Sequence, residues 1–558
     1  MSFRWVRTTM LALAGTGLFL LFSFQSPFVD KYFEIVKNLE IFASVYKELN
    51  RYYVDELNPS EVIGGGIEGM LYLLDPYTTF FSEDEVEDFR TETTGKYGEI
   101  GVDIMKNSSG KIMIYYLLKN SPAEKAGLKI GDEILQIDGL SLQNKNVHDI
   151  NNLLRGQVGT KVELLIRKNQ NQSQKILKIS LTREHIKTSC VSHYEIVKDD
   201  IGIVQLKDFN PDASKEVKQA ILDLTNKGAK KIILDLRDNP GGLLSEAVNI
   251  INLFLPKGTD VVSVKGRTNE WNKTHKALNQ PLDVEIPLAV LVNEQSASAS
   301  EIVSGVLQDY DRAVIIGKRT FGKGLVQSTF SLPYNAKIKI TVARYYIPSG
   351  RCIQKINYSN KDETSQQEKS STVFRTKNGR IVDEKGGILP DILTTTPKEP
   401  LELIDKLTKE LVITDFVLEF IKQKPAPQSP EHIVFTDKDY EEFKKWVTPK
   451  LTECKIPIEE TVQELDTQTT QLQSEWVKKE LSLQVEALKN KINDIKIRLL
   501  DENKRLIIKA IKNQIALYYF YEVGKSHLSL LDDEDVTKAI EILSDSSKYY
   551  HILNPKKQ

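Results

Sequence analysis

A chain of 558 residues is long enough for two to four domains. Its 75 basic and 77 acidic side chains leave a net charge of −2, which excludes a strongly basic surface and, with it, nucleic acid as a partner. The three cysteines, Cys190, Cys352 and Cys454, lie far apart without metal-ligand spacing, so they support neither a disulfide framework nor a cysteine metal centre.

Arg4 and Arg7 precede the uncharged run from Thr8 to Phe24, rich in Leu, Ala and Phe. This is the pattern of an export signal. The run is slightly shorter than a spanning helix of about 20 residues, and no A-x-A cleavage site comes after it. An uncleaved anchor and a cleaved signal (residues 1–27) fit equally, and either exports everything beyond Pro27. From Tyr32 to Tyr53, Phe33, Val36, Leu39, Phe42, Tyr46 and Leu49 recur at helical spacing. Ser60 is the expected cap of a second helix through Leu74. Residues 28–94 read as a helical N-terminal unit that closes on a turn, Asp75-Pro76, and an aromatic pair, Phe80-Phe81.

Residues 95–183 alternate short strands with a Ser121-Pro122-Ala123 helix entry, as a small β-rich module does. Tyr97-Gly98-Glu99-Ile100-Gly101 is a glycine-bounded loop running into a strand. Residues 184–400 then alternate apolar strands (201–206, 231–237, 287–292, 313–317) with helical patterns, which argues an α/β core. Two of its strand exits are rich in small residues. Asp238-Asn239-Pro240-Gly241-Gly242 exposes bare backbone N–H groups. Asn293-Glu294-Gln295-Ser296-Ala297-Ser298-Ala299-Ser300-Glu301 leads into a buried helix, whose N-terminus favours developing negative charge. A serine-rich N-cap, with Ser298 or Ser300 capping and Glu301 in the first turn, explains the second exit equally well on local grounds.

A third exit, Thr320-Phe321-Gly322-Lys323-Gly324, holds a lysine between two glycines. A serine hydroxyl needs a base to become a nucleophile, and a lysine serves where burial depresses its pKa. None of the seven histidines sits in a comparable turn. Serine with lysine is therefore the better pair.

Ser298-Ala299-Ser300-Glu301 with Phe321-Gly322-Lys323-Gly324 and Gln327 resembles the carboxy-terminal processing peptidases, tail-specific Ser–Lys proteases of the S41 peptidase family. The family's spacing of twenty-five positions between nucleophile and base selects Ser298 over Ser296 and Ser300 and pairs it with Lys323. The resemblance also implies that Gln327 orients the lysine, and that Gly242 (or Gly241) and Ala299 supply the oxyanion-hole N–H groups. The β-rich module is similar to a PDZ domain of the bacterial protease type. Ile100 and Gly101 would there offer the N–H groups that capture a peptide's terminal carboxylate, with Gly98 letting the backbone approach. The implied fold is multidomain α/β: a crotonase/ClpP-like spiral protease core, a β-rich PDZ domain, a helical N-terminal unit and a helical C-terminal domain.

The resemblance implies an exported serine endopeptidase in the cell envelope or periplasm, held at the inner membrane if the anchor is retained. It would act on protein substrates with free C-termini, without metal or organic cofactor. A homo-oligomer or an adaptor lipoprotein as partner stays open, and the rival is a non-catalytic PDZ adaptor or chaperone. A hydratase on a related spiral fits the PDZ domain and export signal poorly. Residues 401–558 read as a helix through Ile421, a proline-rich linker or turn cluster from Lys422 to Pro430, and a charge-rich helical stretch from Thr461 to Tyr521. Docking, self-association and partner binding are all compatible with that region.

Overall fold

In the computed structural model the described residues run from 27 to 554, without 84, 87–97, 108, 169–174, 187–188, 359–372, 384–385, 395–401 and 453. The export pattern, Tyr97 of the glycine loop and most of the polar stretch from Tyr358 to Thr376 lie outside them. Among the described residues no helix is long and apolar enough to cross a membrane.

The chain forms two units, Met1–Phe80 and Phe81–Gln558. In the first, helix α1 (Pro27–Tyr52) is followed by α2 (Pro59–Tyr72). The expected cap is displaced: Asn58, not Ser60, starts α2, its side-chain oxygen accepting from the Ser60 N–H at 3.1 Å. Pro59 takes the first helical position, where a missing N–H costs nothing.

The second unit opens with an antiparallel sheet in the order β1 (Val102–Lys106), β2 (Ile112–Leu117), β3 (Glu133–Ile137), β4 (Lys161–Arg167) and β5 (Ile176–Thr182). A one-turn helix, α3 (Pro122–Lys125), is capped by the Ser121 hydroxyl, and α4 (Val147–Leu154) packs beside the edge strand β1.

The α/β core comes next: β6 (Val191–Lys198), β7 (Ile201–Leu206), α5 (Ala213–Asn226), β8 (Lys231–Asp235), α6 (Leu244–Asn252), β9 (Asp260–Gly266), β10 (Leu288–Val292), α7 (Ala299–Asp309), β11 (Val314–Gly317), β12 (Leu325–Ser331), β13 (Lys337–Tyr346) and β14 (Ile392–Leu393). The main sheet has the order β6-β7-β8-β10-β11-β14, parallel except for the β6–β7 hairpin. Its strands read as unbroken apolar runs because both faces are covered. Val204, Leu206, Ile232, Leu234, Leu288, Val290 and Ile315 face α5, α6 and α7. The alternate residues Ile201, Ile203, Ile233, Ala289, Leu291, Val314 and Ile316 form a second core on the other face.

That other face is covered by the C-terminal region. It contains α8 (Glu402–Lys409), α9 (Val412–Phe420), α10 (Asp437–Val447), α11 (Pro457–Thr470), α12 (Glu475–Glu502), α13 (Lys504–Leu531), α14 (Glu534–Ser544) and α15 (Ser546–Leu553). Val536, Ala539, Ile542 and Leu543 of α14, with Tyr549 and Leu553 of α15, complete the second core, and Tyr549 hydrogen-bonds the Leu288 backbone. Helix α13 meanwhile lends Leu517 to the core of the β1–β5 module. Of the three roles open to this region, docking on the rest of the chain is one that the fold adopts.

One feature of this region differs from the sequence-based expectation. The helix expected through Ile421 is two, separated at Leu411, which has φ +60°. The proline-rich segment from Lys422 to Pro430 is mostly exposed and joins two one-turn 3-10 helices, Ile421–Gln423 and Pro430–His432. Along α12, Val485 and Ile492 are buried, whereas Leu481, Leu488 and Ile495 are exposed.

Candidate active site

Strands β8, β10 and β11 run parallel, so their C-terminal ends bring three loops to one edge of the sheet, where open α/β sheets place their ligands. These loops are 236–243, 293–298 and 318–324, the three small-residue exits read from the sequence.

Ser298 stands at the start of α7 with φ +54° and ψ −109°, a conformation that costs an ordinary side chain about 1–3 kcal/mol. Its neighbours hold it there. Ala297 N–H donates to Asn239 O at 3.0 Å, and the Ser300 hydroxyl donates to the same oxygen at 2.9 Å. Ser296 is fully buried, its hydroxyl donating to Leu236 O at 2.8 Å. Ser296 and Ser300 are thus structural, whereas Ser298 is half-exposed.

The lysine loop closes on this turn. Phe321 N–H donates to Ser296 O at 3.1 Å. The buried Glu301 carboxylate joins the loops: Oε2 accepts from Ser298 N–H at 2.9 Å and Lys323 N–H at 2.8 Å. Oε1 accepts from Gly322 N–H at 2.7 Å and the Thr320 hydroxyl at 2.6 Å. On the other side the buried Tyr345 hydroxyl donates to Ser298 O at 3.3 Å and contacts Lys323 O. One carboxylate and one phenol therefore fix the backbones of Ser298 and Lys323 to each other. Burial pushes the Glu301 carboxyl up to about 7, against hydrogen bonds from Thr320, Lys323, Gly322 and Ser298 that favour its ionised form. Lys323 itself is half-buried.

Gln327 lies at a register shift between β12 and β13, opposite Thr341, and its amide donates to the Thr341 hydroxyl at 3.1 Å. That leaves its amide oxygen as the acceptor for a cation.

The glycine pair divides its labour. Gly241 has φ +103°, and a methyl group there would lie 2.8 Å from Ala297 O and 2.9 Å from both Ala299 N and Ser298 Cβ. Only glycine lets this strand exit lie against the serine turn. The Gly241 N–H is engaged by the Asn239 side chain at 2.9 Å, while the N–H groups of Gly242 and Ala299 take no partner among the described residues. Of the two candidates, Gly242 is thus the one with a donor to offer.

In the β1–β5 module, Ile100 and Gly101 precede edge strand β1. Their carbonyls accept from Ala123 and Leu118 N–H, both at 3.0 Å, while their own N–H groups take no partner among the described residues. Gly101 has φ +79° and no room for a side chain, since a methyl group would meet Ser121 Cβ at 2.3 Å. Gly98 has a different place. It exchanges two backbone bonds with Gly156, at 2.9 and 3.0 Å, and a methyl group there would lie 2.9 Å from Gly156 O, so its missing side chain lets the two backbones approach.

Sequence reasoning missed Asn239, Tyr345 and the bridging role of Glu301. The S/T-x-x-E pattern of a capping box is visible in the sequence and half correct: Glu301 does reach back to Ser298 N–H. Its second set of partners, on the lysine loop, is set by tertiary structure alone.

A family model described as peptidase family S41 matches residues 200–361, a PDZ-domain model matches 113–168, and a model of the C-terminal helical domain of probable PDZ-proteases matches 403–543. A carboxy-terminal-processing protease of Bartonella bacilliformis is 35% identical over 358 residues, covering 63% of this chain and 81% of that one. A probable CtpA-like serine protease of Staphylococcus aureus (strain MRSA252) is 35% identical over 319 residues, which is 57% of this chain. The chain spans 62% of the length of that staphylococcal relative. Among solved structures, the photosystem II D1 C-terminal processing protease is 26% identical, covering 63% of this chain and 92% of its own, with a TM-score of 0.35.

Proposed function

Since the chain belongs to peptidase family S41, we propose that it is a serine endopeptidase that grips substrate C-termini in its PDZ domain and cuts them with Ser298 and Lys323. The observation that carries this reading is the Glu301 bridge. By accepting from both Ser298 N–H and Lys323 N–H, it ties the backbones of the proposed nucleophile and base to each other, which supports a pair positioned before substrate arrives.

In the proposed reaction neutral Lys323 accepts the Ser298 hydroxyl proton as the oxygen attacks the scissile carbonyl. The N–H groups of Gly242 and Ala299 receive the oxyanion, each contributing roughly 3–4 kcal/mol. Lys323 returns its proton to the departing amine, and water, deprotonated by the same lysine, then releases the acyl group. The Gln327 amide oxygen holds the lysine. No step requires a metal. In the PDZ domain the N–H groups of Ile100 and Gly101 hold the substrate carboxylate, and edge strand β1 pairs with the residues before it. Export to the cell envelope is part of the proposal, supported by Arg4, Arg7 and the apolar run beyond them.

The test incubates wild type, Ser298→Ala and Lys323→Ala with an unstructured protein bearing an apolar C-terminus, free or amidated. Cleavage by wild type alone, weakened by the amide, is expected. Equal cutting by the variants would refute the dyad. Tail binding without cutting by any of the three would favour the adaptor reading.

A further inference from the structure

Strand β6 is the edge of the main sheet, and its residues His193 and Glu195, two apart, share a face. Helix α13 packs across that face and brings His527 to them. Glu195 Oε2 lies 3.3 Å from His193 Nε2 and 2.6 Å from His527 Nδ1, and the three atoms all fall within 4.8 Å of one another. An ion at about 2.0–2.1 Å from each donor in tetrahedral array needs ligand atoms roughly 3.3 Å apart, so small side-chain shifts suffice.

Two further observations point to a ligand. The His193 ring is 7% exposed, and apart from its 3.3 Å approach to Glu195 its buried Nε2 makes no well-aligned hydrogen bond among the described residues, an arrangement native interiors avoid. The far nitrogen of His527, Nε2, lies 2.6 Å from Glu431 Oε1, at ion-pair distance but not aligned as a hydrogen bond, which a small turn of the ring would supply. A carboxylate behind a ligating imidazole fixes the tautomer that leaves the other nitrogen for the metal. The cluster borders a cavity of about 440 Å³, which gives a route of entry and space for a water as fourth ligand.

We propose that His193, Glu195 and His527 bind a divalent transition-metal ion of the zinc class, with Glu431 supporting His527, and that the ion clamps α13 onto the edge of the protease sheet. Two imidazoles and one carboxylate suit zinc or cobalt rather than calcium or magnesium. The site stands apart from Ser298 and Lys323 and takes no part in the proposed hydrolysis.

The experiment titrates the metal-stripped full chain with Co²⁺ alone, then with Zn²⁺, reading the visible ligand-field absorption of tetrahedral cobalt and the thermal midpoint. Expected is one Co²⁺ per chain, displaced by Zn²⁺, with a rise in midpoint. His193→Gln and His527→Gln should lose both signals. Glu431→Gln should keep the band and weaken binding about 10–100-fold. His148→Gln, at an exposed histidine of the PDZ domain, should behave as wild type. No tetrahedral band in wild type, or equal binding by the two histidine variants, overturns the proposal. X-ray absorption of the zinc-loaded wild type decides without any variant: two imidazole ligands support the site, and fewer overturn it.

Discussion

The serine turn and the PDZ glycine loop are built from similar parts and finished differently. Each is a glycine-rich turn that presents successive backbone N–H groups. At the serine turn the surroundings are crowded with partners: Glu301 accepts four donors, Asn239 accepts three, and Tyr345 reaches both loops. At Ile100 and Gly101, among the described residues, only the carbonyls are tied to neighbouring backbone. A site that must stabilise a transition state needs its geometry fixed beforehand. A site that captures a chain end can let the ligand supply the missing acceptor.

The sharpest way to break this comparison is Glu301→Gln, which sets an amide NH₂ among the donors it now satisfies. Steady-state peptide hydrolysis should show kcat falling about 10²–10³-fold with KM little changed, and urea denaturation should register a loss of about 1–3 kcal/mol. The same variant tests a pH dependence. The folded-state pKa of Glu301 is raised from 4.5 to about 7 by burial, so its contribution is full below 4.5 and is lost as pH rises toward 7. Wild type should lose about 3 kcal/mol over that window relative to Glu301→Gln, whose slope lacks this component. Next in size, Gly241→Ala forces a methyl group onto Ala297 O and Ala299 N, and should cost about 10²-fold in kcat with the PDZ affinity unchanged. Gly101→Ala is the mirror experiment. Its methyl group meets Ser121, so fluorescence anisotropy should show about tenfold weaker binding of a C-terminal peptide, while cleavage of short peptides persists. Smallest is Thr341→Val, which removes the support of Gln327 and should lower kcat about 3–10-fold.

Much of the fold is legible in the sequence because it is local or periodic. The apolar runs 201–206, 231–235, 288–292 and 314–317 announce strands buried on both faces, and the loops after three of them carry the small residues that the site needs. The spacing to Lys323 separates Ser298 from Ser296 and Ser300, and burial separates the three independently. Whatever depends on distant partners stays hidden. Glu301 in a first helical turn looks like any capping residue until the lysine loop wraps around it. The apolar face of α14 looks like that of any amphipathic helix, because the strands it covers lie far earlier in the chain. Arg237 likewise gives no sign that its guanidinium reaches Asp533 and Asp535 at 2.8 and 3.0 Å, as well as neighbouring Asp235 at 2.7 Å. The cap at Asn58, by contrast, is local: Pro59 suits a first helical position, which makes the residue before it the cap rather than Ser60.

The late position of α14 and α15 has a consequence for how the chain is made. A ribosome that has finished β11 has still to add roughly 220 residues before α14 emerges, on the order of 10–40 s at about 5–20 residues per second. Throughout that interval Ile201, Ile203, Ile233, Leu291, Val314 and Ile316 lack the helices that cover them in the finished fold. The nascent sheet must therefore be kept from aggregation while synthesis continues, until the helices that cover it have been made.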